Sequence, residues 1–345
     1  MTSRPSMLAL RKPGPEPGEL ALQEVARPEP SPGQVVVQVH GAGICGTDLH
    51  IMEGEYPSEP PVTLGHEVAG VVVRAGTADS PWVGARVGVE SFFSTDDTCP
   101  MCRAGRRNLC PERRSIGSFE DGGFAAEVLV PVRNLHRLPD ALDLHAAALL
   151  EPLGCVVNCL LDPPRINAGD RVLVTGPGTL GLLAAQVARS CGGQVTVVGT
   201  SRDGARLAVA RDLGFEARTV EESIGDVERA IECSGSAAGL TLCLERLLPG
   251  GHLVQIGLFG RPVSVPLDLL CSKGLSCSSD IAAPASAWQR ALALVTSGEV
   301  ELDALITEVV PLRDWRRAFD SSRTADGLKY VIDPQLPGEV PLPPS

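Results

Sequence analysis

Side chains of the kinds that bind zinc lie between Gly43 and Gly70. Cys45 offers a thiolate, and the dipeptide His66-Glu67 offers an imidazole and a carboxylate, three ligand types that suit this metal. A loop separates Cys45 from the dipeptide, so we expect the site to close in space between two strands. On these residues alone the pattern is weak, because a His beside a Glu is more often part of a solvated turn.

Three polar residues that follow Cys45 strengthen the prediction of a reactive site. Thr47 places a hydroxyl two residues after the thiolate, Asp48 can orient a ligating imidazole, and His50 can pass a proton outward. We therefore predict Thr47, Asp48 and His50 as catalytic residues. The alternatives are a solvated loop histidine for His50 and a helix cap for Asp48.

A second group of thiols has the spacing C-x2-C followed by x7-C, at Cys99, Cys102 and Cys110. Such spacing lets a tight knuckle and a returning loop present thiolates tetrahedrally to a metal. Three thiolates leave one position unfilled. The alternative of a zinc ribbon that grips nucleic acid is disfavoured, because the chain is acidic and this segment lacks aromatic residues for stacking.

A glycine-rich segment, Gly176-Pro177-Gly178-Thr179-Leu180-Gly181, follows a predicted strand over 170–175 and precedes a predicted helix over 182–190. The next strand is predicted over 194–199. A G-x-G-x-x-G motif between a strand and a helix predicts a dinucleotide site. Gly176 would allow the tight turn, Gly178 the approach of a pyrophosphate, and Gly181 close packing of helix on strand. The helix N-terminus would supply the anion site, and the alternative is an ordinary tight turn.

The residues about twenty positions past Gly181 bear on which dinucleotide binds. NAD-selective domains place an acidic residue there to bind the ribose 2′-hydroxyl, whereas this chain has Thr200-Ser201-Arg202. Ser201 can donate a hydrogen bond and Arg202 can pair with a 2′-phosphate. We therefore favour NADP(H) over NAD(H). Asp203 keeps NAD(H) open, because a shift of the turn by one or two residues would bring its carboxylate to the ribose.

Composition excludes several classes of protein. A net charge of −12 disfavours nucleic acids and anionic membrane surfaces as partners. No apolar run of eighteen or more residues and no secretory signal is present, so we expect no membrane partner. The odd number of cysteines, eleven, predicts reduced thiols in the cytoplasm rather than a disulfide framework.

The order of predicted elements indicates an α/β protein with two domains. Short strands with Gly and Pro turns, over 35–40, 67–73, 86–89 and 126–130, predict a partly closed antiparallel β-barrel. From about residue 158, strands alternate with helices, as in a doubly wound parallel sheet. We expect a catalytic domain over 1–155 and 286–345, with a metal lobe at 94–112, and a Rossmann cofactor domain over 156–285. The Pro-rich stretch 334–345 is predicted to be a mobile tail.

The motifs G-x-C-G-T-D-x-H and G-H-E-x-x-G resemble those of the zinc-dependent medium-chain dehydrogenases, most closely their sorbitol and polyol dehydrogenase branch. The resemblance runs from about Leu8 to Asp333. It implies a GroES-like catalytic domain, a Rossmann domain, and a homodimer or homotetramer.

The resemblance also implies roles for single residues. Glu151 of a Glu-Pro-Leu segment would face the catalytic zinc, as a fourth, exchangeable ligand or as a partner of a water on the metal. The family's four-cysteine lobe places Asp96 where the first cysteine would be, so Asp96, Cys99, Cys102 and Cys110 would hold a structural zinc. Asp97 as the ligand, or a metal-free lobe, are the alternatives. Arg206 matches a family helix start that sets Ser201 at the acidic position, and Gly257 and Leu258 would line the nicotinamide.

These observations predict a zinc-dependent oxidoreductase that moves a hydride between NADP(H) and a secondary alcohol or ketone. Zinc at Cys45, His66 and Glu67 would act as a Lewis acid, with Thr47 on the reacting oxygen and a proton relay to His50. Only the resemblance points to a polyhydroxylated substrate, a polyol, sugar or cyclitol-like compound. The alternatives are a reductase of a complex ketone, an NAD-dependent polyol dehydrogenase, and a catalytically silent NADP-binding sensor or scaffold.

Overall fold

The computed structural model describes residues 5–77 and 80–338 and divides the chain into two compact units. The first unit contains residues up to Glu151 and from Ile306 onward, and the second contains Pro152–Leu305. We expected the second unit to end near residue 285. Instead, the helix Ala285–Thr296 packs within the second unit, since its Trp288 lies against Gly154.

The first unit is built from short strands. They are β1 (Ser6–Lys12), β2 (Ala21–Ala26), β3 (Gln34–Gly43), β4 (Val62–Thr63), β5 (Glu67–Ala75), β6 (Arg86–Val89), β7 (Phe92–Ser94), β8 (Arg114–Ser115), β9 (Glu127–Pro131) and β10 (Leu135–Arg137), and near the end β17 (Ile306–Pro311) and β18 (Lys329–Asp333). A seven-stranded sheet has the order β10-β6-β5-β3-β18-β17, with β9 also paired to β3. Among the described strands of this sheet, only β17 and β18 pair in parallel. Two smaller sheets, β2-β1-β4 and β7-β8, complete the unit.

Alternating valines explain why β3 is the centre of this unit. Val35, Val37 and Val39 are fully buried in one apolar cluster with Val68 of β5 and Phe124. Val36, which points to the opposite face, is also fully buried, so β3 is covered on both faces. Because β3 pairs with β5, β9 and β18, the segment that leaves its carboxyl end starts from a rigid position.

The described part of the first unit contains four complete α-helices. They are α1 (Gly46–Met52), α2 (Pro100–Arg103), α3 (Leu144–Ala147) and α10 (Trp315–Arg323), and the boundary to the second unit falls within α4 (Leu150–Leu161). The predicted mobile tail lies outside the described residues from 339 onward. Its beginning is anchored, because the Gln335 side chain donates to the carbonyls of Val39 and Ala126 at 2.9 and 3.0 Å.

The second unit is a six-stranded, fully parallel sheet. Its strands are β11 (Arg171–Thr175), β12 (Gln194–Gly199), β13 (Glu216–Thr219), β14 (Val227–Glu232), β15 (Leu247–Gln255) and β16 (Ser276–Ser278). Its helices are α5 (Thr179–Ser190), α6 (Gly204–Asp212), α7 (Ala237–Arg246), α8 (Asp268–Ser272) and α9 (Ala285–Thr296). The order is β13-β12-β11-β14-β15-β16, so the direction of winding reverses between β11 and β14. Open sheets of this type bind ligands at the carboxyl ends of the strands beside that point.

Most predicted elements agree with the structure to within a few residues. Strands β11 and β12 lie where they were expected, whereas α5 begins at Thr179 rather than Leu182. Thr179 and Leu180 therefore form the first turn of the helix. Among the described residues, none of the helices is long and apolar enough to cross a membrane.

Candidate active site and metal centres

The first functional segment begins where β3 ends and α1 starts. Cys45 is the N-cap of α1, and the Asp48 carboxylate accepts a hydrogen bond from the Cys45 backbone N–H at 2.9 Å. This bond pairs one of the backbone groups that a helix start leaves open. Thr47, in the first turn, places its hydroxyl 3.7 Å from the Cys45 sulfur.

The second segment is the turn that enters β5. Gly65 has a φ of +91°, and a Cβ there would lie 2.9 Å from the backbone nitrogen of Phe124, so glycine is required for the turn. Fully buried Asp48 accepts from the Gly65 N–H at 3.2 Å and lies 3.7 Å from His66 Nδ1. Asp48 thus ties the Cys45 segment to the His66 segment.

These two segments bring together the sulfur of Cys45, an imidazole nitrogen of His66 and a carboxylate oxygen of Glu67. The three atoms lie within 4.8 Å of one another. Burial alone would lower the pKa of His66, but the Cys45 thiolate and the Asp48 carboxylate outweigh it and hold the pKa well above its usual value. Negative charge therefore dominates the cluster, as expected of a site that receives a cation.

Lys329 contacts this cluster from β18. Its ammonium donates to both Glu67 oxygens, at 2.8 and 2.7 Å, and to the carbonyl of Ile44 at 2.9 Å. Burial lowers the pKa of Lys329, but Glu67 and then Cys45 raise it by more. Each carboxylate oxygen keeps a further lone pair, so Glu67 can face a cation while Lys329 holds it.

Two other predicted residues lie apart from the three ligand atoms. Glu151 is buried at the start of α4 but is not a member of the cluster among the described residues. His50 lies in the last turn of α1, and its Nδ1 lies 2.7 Å from Glu55 Oε2. The partly exposed His50–Glu55 pair leads toward solvent.

The second cluster, Asp96 with Cys99, Cys102 and Cys110, also has all of its ligand atoms within 4.8 Å. Asp96 Oδ1 accepts from the backbone N–H groups of Cys99 and Thr98, both at 2.9 Å, which lower the pKa of Asp96 to about 2. Burial and the neighbouring thiols raise the pKa of Cys102 to about 12. A divalent cation would reverse that effect, because it favours the thiolate.

Asp97, the alternative ligand, faces other partners. Its carboxylate lies 2.6 Å from the Thr95 hydroxyl, 2.9 Å from the Arg133 guanidinium and 3.2 Å from that of Arg107. Its backbone has a φ of +55°, which an Asp tolerates better than most residues. Asp97 therefore anchors the lobe, and Asp96 is the carboxylate that joins the thiols.

Both donor sets fit zinc. Sulfur, imidazole nitrogen and carboxylate oxygen are its protein ligands, three in sites that keep a position open and four in closed sites. The cluster of Cys45, His66 and Glu67, the three-donor cluster, is of the open kind. The cluster at Asp96, Cys99, Cys102 and Cys110, the four-donor cluster, is of the closed kind.

The glycine-rich segment of the second unit forms a tight turn between β11 and α5. Gly176 has a φ of +87°, and a Cβ on Gly181 would collide with the Gly176 carbonyl. Gly178 is the N-cap of α5, lacks a side-chain cap, and has open space where a Cβ would project. The amides of Thr179, Leu180 and Gly181 thus begin a helix whose N-terminus is open to an anion.

In the turn after β12, the adjacent side chains of Asp203 and Arg202 differ in their partners. Asp203 Oδ2 accepts from the Thr200 backbone N–H and from the Thr200 hydroxyl, both at 2.8 Å, and Arg206 lies 3.9 Å from Oδ1. By contrast, the Arg202 guanidinium has no hydrogen-bond or ion-pair partner in the described part of the chain, and Ser201 and Arg202 are exposed.

Gly257 and Leu258 follow β15 at the carboxyl edge of the sheet. The Gly257 N–H donates to the Glu232 carbonyl at 2.8 Å, and Leu258 is 70% exposed. Glu232 and Lys329 are both buried. Sequence analysis gave Glu232 no role of its own, and for Lys329 the resemblance implied only a place near Asp48 or the cofactor. The available signals were a charged residue at the end of an apolar strand and one of only three lysines in the chain.

Comparison with known proteins agrees with both units. Residues 31–140 match the model of the alcohol dehydrogenase GroES-like domain, and residues 179–297 match that of the zinc-binding dehydrogenases. The chain is 35% identical to a sorbitol dehydrogenase of Halalkalibacterium halodurans, over 95% of this chain and 99% of that one. It is 31% identical to a D-arabitol-phosphate dehydrogenase of Enterococcus avium, over 95% and 97%.

Among solved structures, a zinc-binding dehydrogenase of Sinorhizobium meliloti bound to NADP is similar, with a TM-score of 0.86 and 33% identity over 96% of this chain and 100% of that chain. The chain belongs to the zinc-dependent medium-chain alcohol dehydrogenase family. It is an NAD(P)-dependent oxidoreductase with a GroES-like domain and a Rossmann domain, as predicted. The alternative of a catalytically silent protein is thereby disfavoured.

Proposed function

We propose that this protein moves a hydride between NADP(H) and a secondary alcohol or ketone of a polyhydroxylated compound. The observation that carries the proposal is the three-donor cluster of Cys45, His66 and Glu67, with its ligand atoms within 4.8 Å. In this proposal the first unit holds the metal and the second unit binds the dinucleotide.

Zinc in the three-donor cluster would supply Lewis-acid polarisation of the substrate oxygen. Thr47 would hydrogen-bond that oxygen, a role supported by its hydroxyl lying 3.7 Å from the Cys45 sulfur. Asp48 would fix the positions of Cys45 and His66 relative to each other, and Lys329 would fix the Glu67 carboxylate. Glu151 takes the role of an exchangeable ligand or of a partner to a water in the site.

Proton transfer would end at His50. The Glu55 carboxylate lies 2.7 Å from Nδ1 of His50. Because a carboxylate accepts hydrogen bonds, Nδ1 carries the hydrogen in this proposal and Nε2 would accept the proton. We propose that Thr47 and His50 handle the proton while a hydride is exchanged at the substrate carbon.

The four-donor cluster has a structural role in this proposal. Asp96 takes the place of a fourth cysteine, and its carboxylate is already oriented by two backbone N–H groups. A closed set of four protein ligands leaves no position for substrate.

The preference for NADP(H) rests on the turn after β12. Asp203 is bound to Thr200 and is thus withheld from a ribose, whereas the Arg202 guanidinium is exposed with no partner in the described residues. Arginine binds phosphate with parallel hydrogen bonds. The similar Sinorhizobium structure was solved with NADP, which supports the same preference.

The substrate class rests on the relatives. Two of them are named for a polyol and a polyol phosphate, sorbitol and D-arabitol-phosphate. A Glu ligand in place of a second thiolate makes the metal harder, which suits oxygen-rich substrates. The homodimer or homotetramer and the cytoplasmic location stay predictions.

The test of cofactor choice is a titration of the purified protein with NADPH and with NADH, followed by nicotinamide fluorescence. We expect NADPH to bind at least about tenfold more tightly, about 1.4 kcal/mol, and Arg202→Ala to erase the difference. Arg211→Ala, on α6 and bonded to the Ala217 carbonyl, is the matched control and should leave it unchanged. Equal or tighter binding of NADH would assign the ribose to Asp203 and make the protein an NAD-dependent polyol dehydrogenase.

A further inference from the structure

A buried carboxylate lies at the point where the winding of the parallel sheet reverses. Glu232 is the last residue of β14, pairs with Thr175 at the end of β11, and is 0% exposed. No Lys, Arg or His side chain in the described part of the chain forms an ion pair with it. A charged group in such a position is costly unless hydrogen bonds replace its water.

The carboxylate of Glu232 is surrounded by donors. Oε1 accepts from the Ser234 backbone N–H at 2.7 Å and from the Ser234 hydroxyl, and the Thr175 hydroxyl lies at 3.4 Å. Oε2 accepts from the Gln255 amide at 2.6 Å and from the Gly235 backbone N–H at 3.2 Å. Only a carboxylate accepts at both ends, because an amide would turn an N–H toward one of these donors.

The first turn of α7 contributes to the same site. A Cβ on Gly239 would lie 3.0 Å from Glu232 Oε1, and Ser236 caps the helix through the Gly239 N–H. The positive end of a helix dipole stabilises a nearby carboxylate. The N-terminus of α7 thus adds to the donors that surround the Glu232 carboxylate.

The groups that Glu232 holds belong to two loops at the carboxyl edge. Ser234 and Gly235 follow β14, whereas Gln255 ends β15 and donates a second bond to the Gly257 carbonyl at 2.8 Å. The loops touch through glycines, since a Cβ on Gly257 would lie 2.5 Å from the Gly235 nitrogen. Glu232 therefore sets the spacing of the loops after β14 and β15.

The same loops adjoin the dinucleotide turn. A Cβ on Gly176 would lie 2.6 Å from the Cα of Ser234, so the Ser234 backbone packs directly on the glycine-rich segment. The adenosine determinants, Ser201 and Arg202, lie after β12, on the other side of β11. The loops that Glu232 ties are therefore on the half of the crevice away from the adenosine.

We propose that Glu232 is a positioning residue that shapes the half of the crevice for the nicotinamide end of the dinucleotide. The proposal rests on the proposed function in one respect, namely that the second unit binds a dinucleotide. Glu232 acts through the Ser234–Gly235 and Gln255–Gly257 backbone rather than by contact with the cofactor. Binding of the nicotinamide end should therefore depend on Glu232, and binding of the adenosine end should not.

The test compares whole and half ligands on the full-length protein. Dissociation constants for NADPH and NADH, and for the fragments adenosine 2′,5′-bisphosphate and ADP, are measured by calorimetry for wild type and Glu232→Gln. Because the Gln amide would turn an N–H toward one of these donors and shift the loops after β14 and β15, we expect NADPH or NADH to bind about tenfold more weakly. The fragments should keep their affinity to within about twofold. Glu228→Gln, on the same strand and paired with Arg171, is the matched control and should change neither.

Two results would overturn the proposal: unchanged binding of the whole dinucleotide, or equal weakening of dinucleotide and fragments. Should Glu232→Gln not fold, Ser234→Ala removes one donor and keeps the carboxylate. It should weaken the dinucleotide about threefold to tenfold with the fragments unaffected, and equal effects on both would contradict us. A wild type that binds neither NADPH nor NADH would instead refute the proposed function.

Discussion

The three-donor cluster and the four-donor cluster lie in the same unit and use the same kinds of ligand, yet their surroundings differ. Glu67 is held by the buried ammonium of Lys329, and His66 is held by the buried carboxylate of Asp48. Asp96 is held by backbone N–H groups of its own loop, and no buried charged residue outside the lobe contacts it among the described residues.

This difference indicates how a reactive centre differs from a structural one. The four-donor cluster closes on itself, so the folding of 94–112 and the binding of a metal are a single local event. The three-donor cluster is assembled at the starts of α1 and β5, and Glu67 is held by Lys329 of β18, which is far away in sequence. The cluster leaves one tetrahedral position open. Its geometry therefore depends on the whole unit.

The largest expected effect comes from Lys329→Met. Removing one partner of a buried ion pair costs about 3–5 kcal/mol of unfolding free energy, because Glu67 is left unpaired. Zinc bound to Glu67 would neutralise it, so the loss should be smaller in zinc-loaded than in metal-depleted protein. Denaturant unfolding of both forms measures the difference between variant and wild type.

Lys273→Met is the control for that experiment. Lys273 donates to three carbonyls at the end of α7, at 2.6 to 3.0 Å, and forms no ion pair with a carboxylate of residues 5–77 or 80–338. Its loss should cost only about 1 kcal/mol, equally with and without zinc. Were the Lys329→Met loss also independent of zinc, Glu67 would not be a ligand.

Asp48→Asn should have the next largest effect. Asp48 orients His66 and bonds the Cys45 and Gly65 N–H groups, and loss of such a partner typically lowers metal affinity or activity about 10–100-fold. Steady-state kinetics with metal analysis would show it. Asp143→Asn is the control, since Asp143 caps α3 through the His145 and Ala146 N–H groups and should cost stability alone. Equal activity in both variants would show that Asp48 has no role in the active site.

The smallest expected effect is a change in the metal lobe at 94–112, which also tests Asp96 directly as a ligand. Asp96→Cys would complete a set of four thiolates, and we expect zinc to resist a chelator about tenfold longer or more, with unchanged turnover. Asp97→Cys is the neighbouring control and should weaken the lobe, because Asp97 binds Thr95, Arg107 and Arg133. If Asp97→Cys gave the tighter site instead, the ligand would be Asp97.

Local sequence patterns made much of the fold and of the candidate sites predictable. The spacing of Cys99, Cys102 and Cys110, and the glycines between β11 and α5, specify geometry within one turn, so sequence analysis located them. The fold class followed from alternating strands and helices in the same way.

What could not be predicted depends on contacts between distant segments. Lys329 and Glu67 are 262 positions apart, and nothing local to either indicates the pair. In the sequence, Glu232 resembles an ordinary strand residue, and only the folded loops after β14 and β15 show its hydrogen-bond partners. Asp203 was an open alternative for the ribose because only the folded turn shows its bonds to Thr200. The helix α9 was assigned to the wrong side of the boundary for the same reason.

The most direct test of the central claim measures the zinc content and the kcat/KM of Cys45→Ser and Cys110→Ser. Cys277→Ser, at an exposed cysteine, is the control. If the three-donor cluster is catalytic, Cys45→Ser loses one zinc and about 10³-fold or more in kcat/KM, because a Lewis acid contributes several kcal/mol. Cys110→Ser should lose the other zinc and unfold at a lower temperature, yet keep its turnover while folded. Retained activity in zinc-depleted Cys45→Ser, or loss of turnover in folded Cys110→Ser, would contradict the account.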